Sequence, residues 1–321
     1  MKAYVVDHAG GPEVLQLKEI PTPKIKPGWA RLKVLGFGIN HSEIFTREGK
    51  SPSVQFPRVL GIEVVGEIDE TSAPDTFKAG QRVVSIMGEM GRAYDGSYAE
   101  YVLVPNAQIY PVKTTLPLRD LVAVPETYYT AYGIVKSLQL KSTDNVLVRA
   151  ATSGVGIAVL RLIRGFDPHI QVTGTTRAED KLNALLTAGF DDVIIAADSE
   201  KLPAGVGRYD KIIDLIGPLS VKDSLQHLNP FGIVSASGLL GNVWTMPDFD
   251  PMMDVPNDGY LTGFYSGIVS GALMQELFDF IDQYDVQVAP TKVFNFNEVA
   301  QAHAYLSESD WLGKVIVMVE P

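Results

Sequence analysis

Asn145-Val-Leu-Val-Arg-Ala-Ala-Thr-Ser-Gly-Val-Gly-Ile-Ala-Val-Leu-Arg-Leu-Ile-Arg164 carries the strongest chemical signal in the chain. An apolar strand runs into small residues, and a helix starts on top of them. Ala151, Thr152, Ser153, Gly154, Val155 and Gly156 leave room for backbone amides to approach a pyrophosphate. The helix N-terminus adds unpaired N–H groups and a favourable dipole. A tight strand-to-helix turn with close packing would need the same small residues, so the turn alone leaves both readings open. The next strand separates them. About 20 residues past such a loop, an NAD-binding chain usually places Asp or Glu to accept from the ribose 2′-OH. Here the strand ends in Thr175-Thr176-Arg177, with Lys181 one helical turn later. A carboxylate would repel a 2′-phosphate, whereas a guanidinium with neighbouring hydroxyls binds it through charge-assisted hydrogen bonds. The residues therefore point to NADPH rather than NADH. A structural role for Arg177, capping or solvating a helix start, is the competing reading.

Other chemically suggestive residues lead less far. Tyr132-Gly-Ile-Val-Lys136 spells the Tyr-x-x-x-Lys pair of short-chain dehydrogenases, but it precedes the glycine-bearing loop instead of following it. Tyr132 also fits the apolar stripe of its own helix, so the match reads as coincidence. There is no cysteine, which removes disulfides, thiol nucleophiles and Cys-based zinc or iron–sulfur sites. The five histidines (8, 41, 169, 227 and 303) show no HxxxH or HxH spacing, and no metal is expected.

Two rhythms of elements position these residues. Over the first 115 or so residues, short β-rich runs at 3–6, 30–39, 59–68, 82–86 and 98–104 are separated by Gly and Pro. Their uneven spacing suggests a partly open barrel. From about residue 118 the chain alternates helices with apolar β runs. A helix is expected over 122–138. The β runs fall at 145–148, 170–174, 192–195, 211–216, 232–236 and 260–264. Near-continuous apolar strands of this kind belong to parallel sheets covered on both faces. A helix is expected at 179–188, with Gly189 at its C′ position. The alternation implies an α/β fold with a doubly wound parallel sheet. From about residue 291 a strand, a short helix (297–306) and a strand (314–319) return to complete the first domain. The expected division is 1–117 with 291–321 as the catalytic, substrate-binding domain and 118–290 as the NADPH-binding domain.

The bulk numbers bound the partners. With 46% hydrophobic and 20% charged residues, the 321-residue chain has the composition of a globular protein. Its net charge of −11 argues against a nucleic-acid partner, although one local basic pocket can still hold a phosphate. No run of about 18 apolar residues appears, and none follows Lys2. No membrane partner is expected, and the expected location is cytoplasmic.

Taken together, the segments resemble the medium-chain dehydrogenase/reductase superfamily, and within it the zinc-independent quinone oxidoreductase group. The likeness runs through Gly38-Ile-Asn-His-Ser-Glu43, Pro57-Arg-Val-Leu-Gly-Ile-Glu-Val-Val-Gly66, Ala79-Gly-Gln-Arg-Val83 and Gly96-Ser-Tyr-Ala-Glu-Tyr-Val102. It continues through the helix around Thr127, the loop at 150–156, Gly174-Thr-Thr-Arg177, Asp214-Leu-Ile-Gly217 and the tail from Ala302-His303 to Gly313-Lys314. The resemblance implies a Rossmann domain inserted into a GroES-like catalytic domain, with nicotinamide and substrate held in a cleft between them. Zinc-bearing relatives carry Cys, the His of Gly-His-Glu and a second Cys as metal ligands; Ile62 stands here in Gly61-Ile62-Glu63. Without a Lewis acid, alcohol oxidation is disfavoured. Hydride transfer to a quinone or an α,β-unsaturated carbonyl, a small electrophilic substrate, fits better.

The same resemblance makes Asn40 the catalytic candidate, its amide donating to a substrate carbonyl or fixing the nicotinamide ribose; a turn residue bonding its own backbone is the alternative. Thr127 and Thr130 are implied as hydroxyl contacts to the cofactor, or else as hydroxyls bonded within their helix. Gly238 and Phe264, at strand ends, are implied as cofactor contacts through backbone. Three departures from the family pattern stand out: Ser153 replaces the middle glycine of the loop, Lys50 stands near where relatives carry an aromatic at the substrate mouth, and His41 adjoins Asn40. A homodimer is implied through the sheet edge around 234–264. Two other functions compete, a non-catalytic NADPH-binding redox sensor and an enoyl-thioester reductase.

Overall fold

The computed structural model describes residues 1–307 and 312–319. Contacts divide the chain into two compact units, one comprising Met1–Tyr129, Ser266–Gln283 and Val288–Pro321, the other Thr130–Tyr265 and Tyr284–Gln287. This division does not follow the expected boundaries at 117/118 and 290/291. The helices Leu118–Val122 and Gly271–Gln283 and the first turn of the helix Pro125–Leu138 belong with the β-rich unit.

The β-rich unit is built around one long strand, Trp29–Ile39. It pairs antiparallel with Glu63–Thr71, with Tyr101–Pro105 and with Val315–Met318 from the chain's end. Glu63–Thr71 extends the sheet to Arg82–Ile86, and Val315–Met318 extends it to Lys292–Asn295. A three-stranded sheet, Leu15–Glu19, Lys2–Val6 and Arg58–Val59, completes the unit. Alternating side chains close one core of Tyr4, Leu32, Val34, Phe37, Ile68, Tyr98, Val315 and Val317. This is the GroES-like architecture expected. Leu15–Glu19 has no counterpart in the sequence reading, because a mostly exposed outer strand leaves little apolar pattern. The run expected at 59–68 is two strands, since Gly61 turns the chain at φ +105°. A Cβ at Gly61 would collide with Ser97. That turn delivers Ile62 and Glu63.

The second unit carries a six-stranded parallel sheet in the order Asp192–Ile195, Gln171–Thr176, Asn145–Arg149, Tyr209–Asp214, Leu228–Ala236, Tyr260–Thr262. The order runs outward in both directions from the Asn145–Arg149 strand, which is the doubly wound Rossmann arrangement. Val146, Leu147, Val148, Ile212, Ile213 and Val234 are buried, as both-face coverage requires. The expected helix over 122–138 starts at Pro125, because a proline lacks the N–H that an interior position would donate but is tolerated in the first turn. The expected helix at 179–188 is a 3₁₀ turn, Glu179–Lys181, followed by Leu182–Ala188. Gly189 ends it in the left-handed region, as the sequence suggests.

Candidate active site

The residues singled out from sequence fall into two groups, one in each unit. In the Rossmann unit the Asn145–Arg149 strand gives way to the helix Gly154–Phe166 at the point where strand order reverses, where such sheets bind ligands. Ala150 turns the chain at φ +59°, a conformation that costs an L-residue about 1–2 kcal/mol. The neighbouring strand holds it there: Ala150 N–H donates to Thr175 Oγ1 at 3.1 Å and Ala151 N–H to the Thr175 carbonyl at 3.0 Å. Ser153 is the N-cap, its Oγ accepting from Gly156 N–H at 3.0 Å. Gly156 itself is needed because a Cβ would lie 2.7 Å from the Ala151 carbonyl oxygen. Gly154 and Val155 stand ahead of the helix's first internal bond, which Ile157 N–H makes to the Ser153 carbonyl. Their amides emerge at the positive end of the helix dipole and suit a pyrophosphate.

The residues expected around a 2′-phosphate separate into two kinds. Thr175 and Thr176 are buried and engaged within the chain, Thr175 on the loop and Thr176 Oγ1 accepting from Ala178 N–H at 3.2 Å. Lys181 is buried as well, whereas Arg177 is exposed just past the strand end. The second-strand position that takes a carboxylate in NAD-binding chains therefore presents a guanidinium. Deeper under the same sheet edge, Asp214 accepts from the N–H groups of Ile216 and Gly217 and from the hydroxyls of Ser220 and Ser224. Buried Arg149 joins Asp223 at 2.8 Å and the carbonyls of Ser199 and Glu200. Gly238 permits close backbone passage, since a Cβ would collide with the Leu215 carbonyl. Phe264 donates its N–H to Ser237 Oγ at 2.8 Å and lays its ring against Gly133. Thr130 is buried. Tyr132 is buried in the same helix, with Lys136 Nζ 5.7 Å from its ring centroid, a packing pair.

In the β-rich unit, Asn40 is the N-cap of the short helix His41–Arg47 but makes no capping bond. Its side chain turns to a polar cluster instead. Nδ2 donates to Glu63 Oε1 at 2.9 Å and reaches Glu43 Oε1 at 3.4 Å. Oδ1 accepts from Lys314 Nζ at 2.7 Å and from Thr127 Oγ1 at 3.3 Å. Lys314 Nζ also donates to Glu63 Oε1 at 2.6 Å and Thr127 Oγ1 at 2.8 Å. Glu63 Oε2 accepts the Glu126 N–H at 2.9 Å. Thr127 thus bonds to the cluster, not back along its helix.

Burial, the neighbouring Glu63 and too little compensation from Lys314 push Glu43 up to about 8, so it is a neutral acid at pH 7. Behind it lies a directed chain of donors. Arg47, which can only donate, gives a hydrogen bond to His303 Nδ1 at 3.1 Å. His303 must then carry its proton on Nε2 and donate to Tyr98 Oη at 2.9 Å. Burial, with Arg47 beside it, pushes His303 down to about 3. Burial also pushes His41 down to about 4, so it is a neutral imidazole at pH 7 and holds no acidic proton to give. Lys50 is exposed and paired to Glu48 at 2.8 Å. Glu43, Glu63 and Lys314 are not among the residues singled out from sequence. The one available signal is a lone charge at the end of an apolar strand, Glu63 before Val64-Val65 and Lys314 before Val315-Ile316-Val317.

Among the described residues, no group of three or more His, Asp or Glu could hold a metal, and no helix is long and apolar enough to cross a membrane. Residues 26–114 match the alcohol dehydrogenase GroES-like domain, and residues 188–317 match the zinc-binding dehydrogenase family. The quinone oxidoreductase of Pongo abelii is 30% identical over 256 residues, 77% of this chain and 76% of that protein. An oxidoreductase from Salmonella enterica, solved in complex with NADP, superposes with a TM-score of 0.86 at 20% identity over the whole of both chains. The quinone oxidoreductase of Coxiella burnetii does so with a TM-score of 0.84 at 22% identity, over 100% of this chain and 99% of that one. The chain belongs to the medium-chain dehydrogenase/reductase superfamily, as an oxidoreductase of its quinone oxidoreductase-like group.

Proposed function

We propose that the chain is an NADPH-dependent oxidoreductase that reduces quinones or α,β-unsaturated carbonyls without zinc. The observation that carries the cofactor choice is Arg177, exposed past the second strand where a carboxylate would select NADH. The open amides of Gly154 and Val155 fit the pyrophosphate, and the Ser153 cap keeps the helix end formed around them. When bound, the reduced nicotinamide supplies the hydride. The protein's part is to position the acceptor and polarise its oxygen by hydrogen bonding. Asn40 is the group assigned to that donation. The zinc-free reading is supported by Ile62 in place of the histidine ligand and by the absence of cysteine. An electron-poor acceptor takes hydride at carbon with no Lewis acid. The name of the Pongo abelii relative supports a quinone or a compound of like reactivity as substrate. The enzyme acts as a homodimer in this reading.

Titration calorimetry with each cofactor tests the proposal. Arg177→Ala is expected to weaken NADPH by roughly tenfold or more and to leave NADH nearly unchanged, because one charge-assisted hydrogen bond is worth about 1.5–3 kcal/mol. Equal losses for both cofactors would contradict it. Stopped-flow oxidation of NADPH across quinones, enones and crotonyl-type thioesters then identifies the acceptor. Stoichiometric binding with no turnover would make the chain an NADPH-binding sensor instead.

A further inference from the structure

A side-chain amide can sit in its site in two orientations that differ by exchange of oxygen and nitrogen, and its neighbours decide between them. Around Asn40 the neighbours leave no choice. An ammonium can only donate, so Oδ1 must face Lys314; an ionised carboxylate can only accept, so Nδ2 must face Glu63. The Lys314 ammonium has three donors and places them on three oxygens, of Asn40, Glu63 and Thr127, at 2.6–2.8 Å. One Nδ2 hydrogen is thereby committed to Glu63. The other meets Glu43 only at 3.4 Å, at the edge of hydrogen-bonding distance.

We infer that Lys314 and Glu63 are positioning residues that fix the orientation of the Asn40 amide, so that its second N–H is presented as the donor to the substrate oxygen. The assignment rests on the proposed role of Asn40, but the orientation itself can be measured without turnover. The pair is costly to keep: Lys314 is 4% exposed and Glu63 1%, and a buried ion pair seldom outdoes apolar packing in stability. Its surroundings are shaped to it. Gly38, on the adjoining strand, is the one residue type that fits, because a Cβ there would collide with both Glu63 Oε1 and Lys314 Nζ. The cradle, the donor-only cation and the acceptor-only anion together specify one amide orientation.

The test is by NMR on the full chain labelled with ¹⁵N-asparagine, with the Asn40 pair assigned from its loss in Asn40→Ala. In the wild type one Nδ2 proton should exchange with solvent far more slowly than its partner; two protons exchanging at solvent rates would overturn the inference with no variant needed. Lys314→Met combined with Glu63→Gln removes both charges together, so that no lone buried charge remains. In that double variant the protected proton should exchange at least tenfold faster and the two resonances should move. NADPH affinity should stay within twofold, while kcat falls on the order of a hundredfold, the range for loss of one preorganised donor. Gly38→Ala keeps every polar group but wedges the pair apart, and should give the same spectral change should the double variant not fold. Unaltered Asn40 resonances in either variant, or an unaltered kcat in an active enzyme, would make Lys314 merely structural. A wild type inactive towards every acceptor would remove the proposed function and leave the spectroscopic arm to decide the orientation alone.

Discussion

Glu43, His41 and His303 leave their ordinary titration ranges in opposite senses, and together they shape how stability depends on pH. Burial holds the two histidines neutral in the folded chain, so between pH 6.5 and their folded values of about 4 and 3 only the unfolded chain takes up those protons. Stability is lost there as pH falls. Glu43 behaves the other way, because between 4.5 and about 8 the folded chain holds a proton that the unfolded chain has released. Its contribution is complete below 4.5 and is lost as pH rises through 8. From 4.5 to 6.5 two histidines oppose one carboxyl and stability still climbs; above 6.5 only Glu43 acts and stability declines, by about 1.4 kcal/mol per pH unit at most. The three groups therefore place a maximum near pH 6.5. Urea midpoints measured from pH 4 to 9 should show it. In Glu43→Gln the alkaline decline should flatten while the acid limb stays; an unchanged decline would assign it elsewhere.

At the scale of elements, the departure from the family's loop has a definite consequence. Ser153 replaces a glycine and uses its hydroxyl to cap the Gly154–Phe166 helix. Ser153→Ala should lose about 1 kcal/mol in urea or thermal unfolding, whereas Ser153→Gly should lose only a few tenths. Equal losses would mean that the hydroxyl contributes nothing as a cap. The strands 82–86 and 192–195 are legible in sequence to the residue, since each is a short β-rich run bounded by charge and turn residues. Two of the misread elements turn on one backbone-controlling residue overriding an apolar pattern: Pro125 starts a helix three residues late, and Gly61 breaks one strand into two. In the candidate site, the family resemblance names Asn40 and Thr127, and the structure brings their side chains together. The Lys314–Glu63 pair is not legible in sequence, because its members are 251 residues apart and meet only through the antiparallel register that sets Val315 opposite Ile39. Propensity and periodicity act over a turn or a strand, and no local pattern announces a partner at that distance.

For the whole molecule, the open question is what covers the end of the parallel sheet. Tyr260–Thr262 is the last strand of this sheet and, among the described residues, pairs on one side only, with Leu228–Ala236. An unpaired edge is a template for another chain unless charge, proline or a covering element blocks it. This one carries Tyr260, 54% exposed, beside Leu261, and the same unit exposes Trp244, Met253 and Met252, the last at 90%. Exposed apolar side chains beside an open strand edge are candidates for a contact surface. The net charge of −11 means that two copies repel at a distance, so association has to come from short-range burial and edge pairing. Salt should therefore strengthen the proposed dimer, since the Debye length shortens to about 3 Å near 1 M. Sedimentation velocity is expected to show a dimer whose dissociation on dilution is suppressed by added salt. Tyr260→Lys with Leu261→Lys should give a monomer with an unchanged far-ultraviolet circular dichroism spectrum, because both side chains are exposed. A wild type that sediments as a monomer at every concentration, or a lysine variant that remains dimeric, would show that the edge is closed by something other than a second copy.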